Sequence, residues 1–165
     1  MERINHNIEP VYDNESKILI LGSFPSVKSR EMQFFYGHPQ NRFWRVIAAL
    51  TGYSVPHTIE DKKKMLHENH IALWDTIASC EIEGSSDSSI KDVVPNNLNK
   101  ILETVPIRAV YCNGTKSYEL YHKYCEKQTG MTATKLPSTS PANAACSLDR
   151  LIEEWKVITE WLRAV

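Results

Sequence analysis

The chain has 165 residues and a formal net charge of −1, with 42 % hydrophobic and 24 % charged residues. That composition suits one folded domain over residues 1–165 with a sizeable core and excludes a disordered chain. No apolar run approaches the roughly 18 residues of a membrane-spanning helix, the first ten residues lack the apolar core of a signal peptide, and the near-neutral charge is unlike that of a strongly basic nucleic-acid-binding domain; a cytoplasmic protein is expected.

KILILGS (17–23) is a short apolar run halted by Gly22 and predicts a fully buried strand. The stretch that follows, GSFPSVKSREMQFFYGHPQNRFW (22–44), carries Phe24, Phe34, Phe35 and Tyr36 before Trp44. Loops are usually small and polar, so this one is suited to holding something flat. NRFWRVIAALTG (41–52) predicts a helix, with Asn41 as its N-cap and Gly52 as its stop. TIEDKKKMLHENH (58–70) predicts a second, capped by Thr58, with Lys62, Lys63 and Lys64 on a solvated face. IALWD (71–75) is a second buried strand and CEIEGSSDSSIKDVVPNN (80–97) reads as a loop. LNKILETV (98–105) is a short helix ended by Pro106, IRAVYCNG (107–114) a third strand, TKSYELYHKYCEKQTG (115–130) a helix and MTATKLPST (131–139) a fourth strand. In SLDRLIEEWKVITEWLRAV (147–165), Leu148, Leu151, Ile152, Trp155, Ile158, Leu162 and Val165 recur at threes and fours, behind a Ser147 cap and an acidic first-turn Asp149.

Strands alternating with helices predict a three-layer αβα sandwich around a mostly parallel four-stranded sheet. Ligands of such sheets bind beyond the carboxyl ends of the strands. GSFPS, WDT, CNG and PSTSPANA occupy those ends, so four segments spread over the chain converge on one edge. The cysteines at 80, 112, 125 and 146 match no zinc or iron–sulfur spacing and are expected as free thiols; HENH (67–70) lacks the spacing of H-E-x-x-H. Phosphate contacts must come from local cations, with Lys28, Arg30, Arg42 and Arg45 near the ring-rich loop, or from hydroxyl loops.

LILGSFPSVKSREMQFFYGHPQNRFW, ALWDTIASCEIEGSSDSSI, VYCNGTKSY and LPSTSPANA, in that order, resemble the uracil-DNA glycosylase superfamily, and within it the hypoxanthine-DNA (deoxyinosine) glycosylase branch. The resemblance covers nearly the whole chain. It implies a monomer that acts on DNA containing deaminated bases, flips the base out and hydrolyses its bond to deoxyribose. No metal, iron–sulfur cluster or other cofactor is implied. The preferred base is expected to be hypoxanthine; uracil or mismatched bases are the alternative, and a non-catalytic nucleic-acid-binding module of the same fold a further one.

Carried onto this sequence, the resemblance places Ser23 and Phe24 of GSFPS against the base and Tyr36, just before Gly37, where mismatch-specific relatives have a stacking aromatic. Phe34 reads instead as packing beneath the loop. The superfamily's first motif usually supplies an Asp or Asn to hold water; the corresponding residue here is Phe24, which has no polar group. An Asn in the 22–44 stretch is the implied catalytic residue of the hypoxanthine branch, which points to Asn41, also readable as a helix cap. Asp75 lies where uracil-specific relatives place a base-reading Asn, and serves either that role or as a turn cap. Asn113 contacts the base or occupies a tight Asn-Gly turn. PSTSPANA (137–144) matches the second motif, which presses on DNA: Ser138, Thr139 and Ser140 offer hydroxyls to phosphate, and residues after Pro141, including Asn143, fill the space left by the flipped base.

Overall fold

The structure, a computed structural model, describes residues 2–162. Its strands are β1 (Glu2–Asn5), β2 (Ile18–Gly22), β3 (Ile71–Asp75), β4 (Ile77–Ile82), β5 (Lys91–Pro95), β6 (Ala109–Asn113) and β7 (Ala133–Leu136). Its helices are α1 (Val27–Met32), α2 (Phe43–Thr51), α3 (Ile59–Glu68), α4 (Asn99–Leu102), α5 (Thr115–Tyr124), α6 (Glu126–Thr129), α7 (Leu148–Trp155) and α8 (Thr159–Leu162). Four strands form a parallel sheet in the order β3-β2-β6-β7, and helices cover it in the three-layer αβα arrangement.

A strand buried on both faces reads as an unbroken apolar run, and every residue of β2 and β3 is buried. The register pairs Gly22 with Asp75, Leu21 with Cys112, and Asn113 with Leu136. Parallel strands end on the same edge, so Gly22, Asp75, Asn113 and Leu136 form one rim from which Ser23 and residues 137–144 continue.

The helix read over 41–52 begins at Phe43. The cap position is Arg42, whose side chain makes no capping bond. Asn41 reaches the helix from one residue further out, its Oδ1 accepting from the Phe43 N–H at 2.9 Å, a local side-chain turn of the kind Asn favours. Thr58 and Ser147 cap as expected, accepting from the Asp61 and Arg150 N–H groups. The helix read over 115–130 breaks at Cys125 into α5 and α6. The last helix passes through a tighter turn at Lys156–Ile158 and continues as α8; Leu151, Trp155 and Ile158 are fully buried, and Val165 lies outside the described residues.

Two expectations are corrected. Residues 80–97 are not a loop: β4 pairs antiparallel with β1 on one side and β5 on the other, making a second three-stranded sheet. Ser, Gly and Asp in this region conceal short strands whose partner, β1, is distant in sequence; the inward face of β4 is Ile77, Cys80 and Ile82. Lys62 is not on a solvated face either. Its side chain is buried with the ammonium 5.1 Å from the centre of the Trp44 ring, a cation–π contact that keeps the charge while covering the stem.

Candidate active site

A cavity of about 340 Å³ opens at the rim where the parallel strands end. Its walls come from residues 22–26, Phe35, Tyr36, His38, Asn41, Asp75, Asp87, Asn113 and residues 138–142. The fold therefore gathers around one space every residue that the resemblance assigned except Asn143, together with Phe35 of the ring-rich loop, His38 and Asp87.

The polar wall is a chain of side chains. Asn41 Oδ1 accepts from Phe43 N–H (2.9 Å) and from the Thr139 hydroxyl (2.8 Å). Thr139 Oγ1 in turn accepts from Asn113 Nδ2 (3.0 Å), while Asn113 Oδ1 accepts from Thr139 N–H (3.0 Å). A backbone N–H can only donate, so the Asn41 amide has one orientation: oxygen toward the helix start, nitrogen away from it. Both acceptor sites of Oδ1 are taken, and Nδ2 has no partner among the described residues. Asn41 thus holds the start of α2 through its oxygen and also offers a fixed donor at the cavity wall. Thr139 is fully buried and its hydroxyl is committed to this network, which leaves no donor for phosphate. Ser138 and Ser140 differ: each Oγ accepts from a loop N–H (3.1 Å in both cases) and keeps its own proton to donate outward.

Aromatic rings form the other walls. Tyr36 stacks one face on Phe43 with centroids 4.1 Å apart and ring planes 20° from parallel. It sits in the left-handed region at φ 51°, held on both sides: the Trp44 indole donates to its carbonyl (3.2 Å) and Gly37 N–H donates to Ser29 Oγ (2.9 Å). Strained backbone kept in this way clusters at functional sites. Phe24 is buried between the Arg30 guanidinium, 5.4 Å from its centroid, and the His6 ring, centroids 5.2 Å apart and planes at 75°. Phe34 packs parallel to Trp44 at 6.0 Å and takes no part in the cavity. Gly22 is required by the floor: a Cβ there would lie 2.6 Å from Asp75 Oδ1 and 3.3 Å from the Tyr36 hydroxyl.

Electrostatics at the floor favour neutral forms. Burial and the charge of Asp87 push the Asp75 carboxyl up to about 7, and its Oδ2 has no hydrogen-bond partner among the described residues. His6 Nε2 lies 4.0 Å from that oxygen but donates instead to the Ile77 carbonyl at 2.7 Å, and burial lowers its affinity for a second proton. His6 is therefore a neutral neighbour and not a counter-ion. Burial also raises Asp87, against a hydrogen bond from Ser23 and the nearby charge of Lys116, and raises the Tyr36 hydroxyl further above its ordinary range.

Arg42 is engaged within the fold. Its guanidinium donates to the carbonyls of Thr139, Ser140, Asn143 and Cys146, fastening residues 139–146 against the start of α2. Arg30 is similarly engaged, donating to the Gly84 carbonyl at 2.7 Å. Lys116, Lys135 and Arg150, with Asp87 and Glu154, line a groove of about 680 Å³ beside the cavity, next to Ser138 and Ser140. Nearness in the chain does not make Arg30 and Arg42 available, because both are turned onto backbone carbonyls. Arg42→Lys keeps the charge but loses the planar five-donor fork. Its expected effect is faster amide hydrogen exchange over 139–146 with little change in α5; unchanged exchange would show that the loop holds itself.

The model for the family described as Uracil DNA glycosylase superfamily matches residues 9–162. The chain belongs to the uracil-DNA glycosylase superfamily. Two similar relatives are proteins named Hypoxanthine DNA glycosylase. That of Methanosarcina acetivorans is 36 % identical over 157 residues, covering 94 % of this chain and 98 % of the relative. That of Methanosarcina barkeri is 34 % identical over 136 residues, covering 81 % and 85 %. A solution NMR structure of a uracil DNA glycosylase candidate from Methanosarcina acetivorans superposes with a TM-score of 0.82 at 36 % identity, over 96 % of this chain and 98 % of that one. In this superfamily member no group of three or more His, Cys, Asp or Glu among the described residues is placed to hold a metal, and no described helix is long and apolar enough to cross a membrane.

Proposed function

We propose that this protein is a monofunctional DNA glycosylase, acting as a monomer, that extrudes a deaminated base from DNA and hydrolyses its glycosidic bond, with hypoxanthine as the preferred base. The observation that carries the reading is the Asn41 amide: its oxygen is held by two donors and its nitrogen is left without a partner at the wall of a ring-lined cavity.

A base within a duplex is out of reach, so the nucleotide must rotate into a pocket at a cost of a few kcal/mol. Tyr36 offers the cavity side of its ring to the extruded base, with Phe24 and Phe35 as further apolar walls. Asp75 at the floor accepts the N1–H of hypoxanthine when ionised. Breaking the bond leaves positive charge on the sugar and negative charge on the departing base. A donor aimed at that negative charge is worth most in a site shielded from water, and Asn41 Nδ2 fills this role. Ser138 and Ser140 donate to backbone phosphates, beside the groove where Lys116, Lys135 and Arg150 outnumber Asp87 and Glu154, a small local excess of positive charge on a chain with a net charge of −1.

Uracil is the second reading, because it presents the same N–H beside C=O to Asp75. A panel of labelled duplexes carrying hypoxanthine, uracil, xanthine, or thymine opposite guanine, treated with the purified protein and then alkali, separates the two. Strand breaks are expected first and fastest with hypoxanthine. Cleavage of uracil alone would favour the second reading, and cleavage of none would favour a binding module.

A further inference from the structure

Hydrolysis needs an acceptor for the proton of the attacking water, and the polar wall does not provide one. Asn41 Oδ1 already accepts two hydrogen bonds, and Asn113 Oδ1 accepts from Thr139 N–H. Asp75 lies at the cavity floor, paired in register with Gly22, where its role is to accept the N1–H of the base. Phe24 has no polar group.

We propose that Asp87 holds and deprotonates the attacking water; this rests on the glycosylase reading above. Asp87 is placed by its surroundings. Its Oδ1 accepts from the Ser23 hydroxyl at 2.9 Å, one residue before Phe24, so a carboxylate from a different segment reaches the neighbourhood of the apolar Phe24. The segment that carries it is fastened to the start of α1 on two further sides. Val27 N–H donates to Ser85 Oγ at 2.9 Å, and Arg30 donates to the Gly84 carbonyl at 2.7 Å. Asp87 Oδ2 has no hydrogen-bond partner among the described residues.

Position decides the role. An extruded nucleotide has its base in the cavity and its phosphates along the basic groove, so its sugar lies where the two meet. Asp87, Ser138, Ser140 and Ala142 line both spaces, and among them Asp87 alone can accept a proton. In the step, the C1′–N9 bond breaks and its electron pair leaves with the base. Water oxygen bonds to C1′ of the oxocarbenium-like sugar, and the water proton passes to Asp87. That proton is then released to neutralise the base anion, giving hypoxanthine and an abasic C1′–OH.

On a duplex with one deoxyinosine, single-turnover excision by Asp87→Asn and by Asp87→Ala is expected to fall about 100-fold or more, the scale of a lost general base. Binding to the same duplex carrying 2′-fluorodeoxyinosine, whose glycosidic bond resists cleavage, should stay within about threefold of wild type, about 0.65 kcal/mol in binding free energy. Excision by either variant within that same factor of wild type overturns the assignment, as does a loss of binding equal to the loss of excision. If the wild type removes uracil and not hypoxanthine, the substrate reading fails by itself, and the same comparison on the uracil duplex decides Asp87. If the wild type removes no base, both fall.

Discussion

Asn41→Ala and Asn41→Asp should each lower single-turnover excision of hypoxanthine by about 10²–10³-fold, the loss typical of removing one donor to a developing anion. The two substitutions fail for different reasons, and the pair separates the donor from the cap. Alanine removes Oδ1 as well, freeing the Thr139 hydroxyl and the Phe43 N–H that it holds at 2.8 and 2.9 Å; a stability cost of about 1 kcal/mol accompanies the loss of such a cap. Aspartate keeps an acceptor for both donors and so preserves the network. It replaces Nδ2 with an oxygen that repels the departing base. If Asn41 were only a helix cap, Asn41→Asp would excise within about threefold of wild type, since capping by Asp and Asn is similar.

The second large effect is on stability and has a defined pH sign. Asp75 is pushed from 3.8 to about 7 in the folded protein. Between those values the native state binds more protons at this site than the unfolded chain, so the term weakens folding as pH rises, by up to about 1.4 kcal/mol per pH unit. Across that window the loss approaches about 4 kcal/mol at most. Asp75→Asn removes it. In urea denaturation, the variant should match wild type near pH 4 and exceed it by a few kcal/mol at pH 8. The charge of Asp87 contributes to the shift, and buried His6 titrates in the opposite sense at low pH; taking the difference between variant and wild type isolates Asp75. Equal stability of the two proteins at pH 8 would contradict this description of the floor. A carboxylate retained at such a cost is characteristic of a functional site, so the stabilised variant should excise hypoxanthine more slowly.

The parallel sheet was legible first through β2 and β3, which are short, wholly buried runs. KILILGS and IALWD admit few other readings, and each ends in a residue that marks the rim, Gly22 or Asp75. The last helix announced itself through Ser147 and the spacing of Leu151, Trp155 and Ile158. What stayed hidden depends on contacts between distant segments. The β4–β5 pair needs β1 as its partner, and nothing local to residues 80–97 indicates that. Nothing local to Asp87 marks it, because the Ser23 hydroxyl that fixes it lies 64 positions away. Arg42 looked available for phosphate because its carbonyl partners, 97 to 104 positions ahead, are invisible to a local reading. Asn41 posed a different problem. The sequence offered cap and catalytic roles as alternatives, whereas its two amide atoms can serve one each.

That division of the Asn41 amide is the central claim, and it can be observed directly. At 18.9 kDa the protein is within reach of side-chain amide NMR. Bound to a duplex containing 2′-fluorodeoxyinosine, the Asn41 Nδ2 protons are expected to shift strongly and to become protected from solvent exchange relative to the free protein. Resonances of Asn41 that neither move nor gain protection, while the duplex is demonstrably bound with its base extruded, would contradict it.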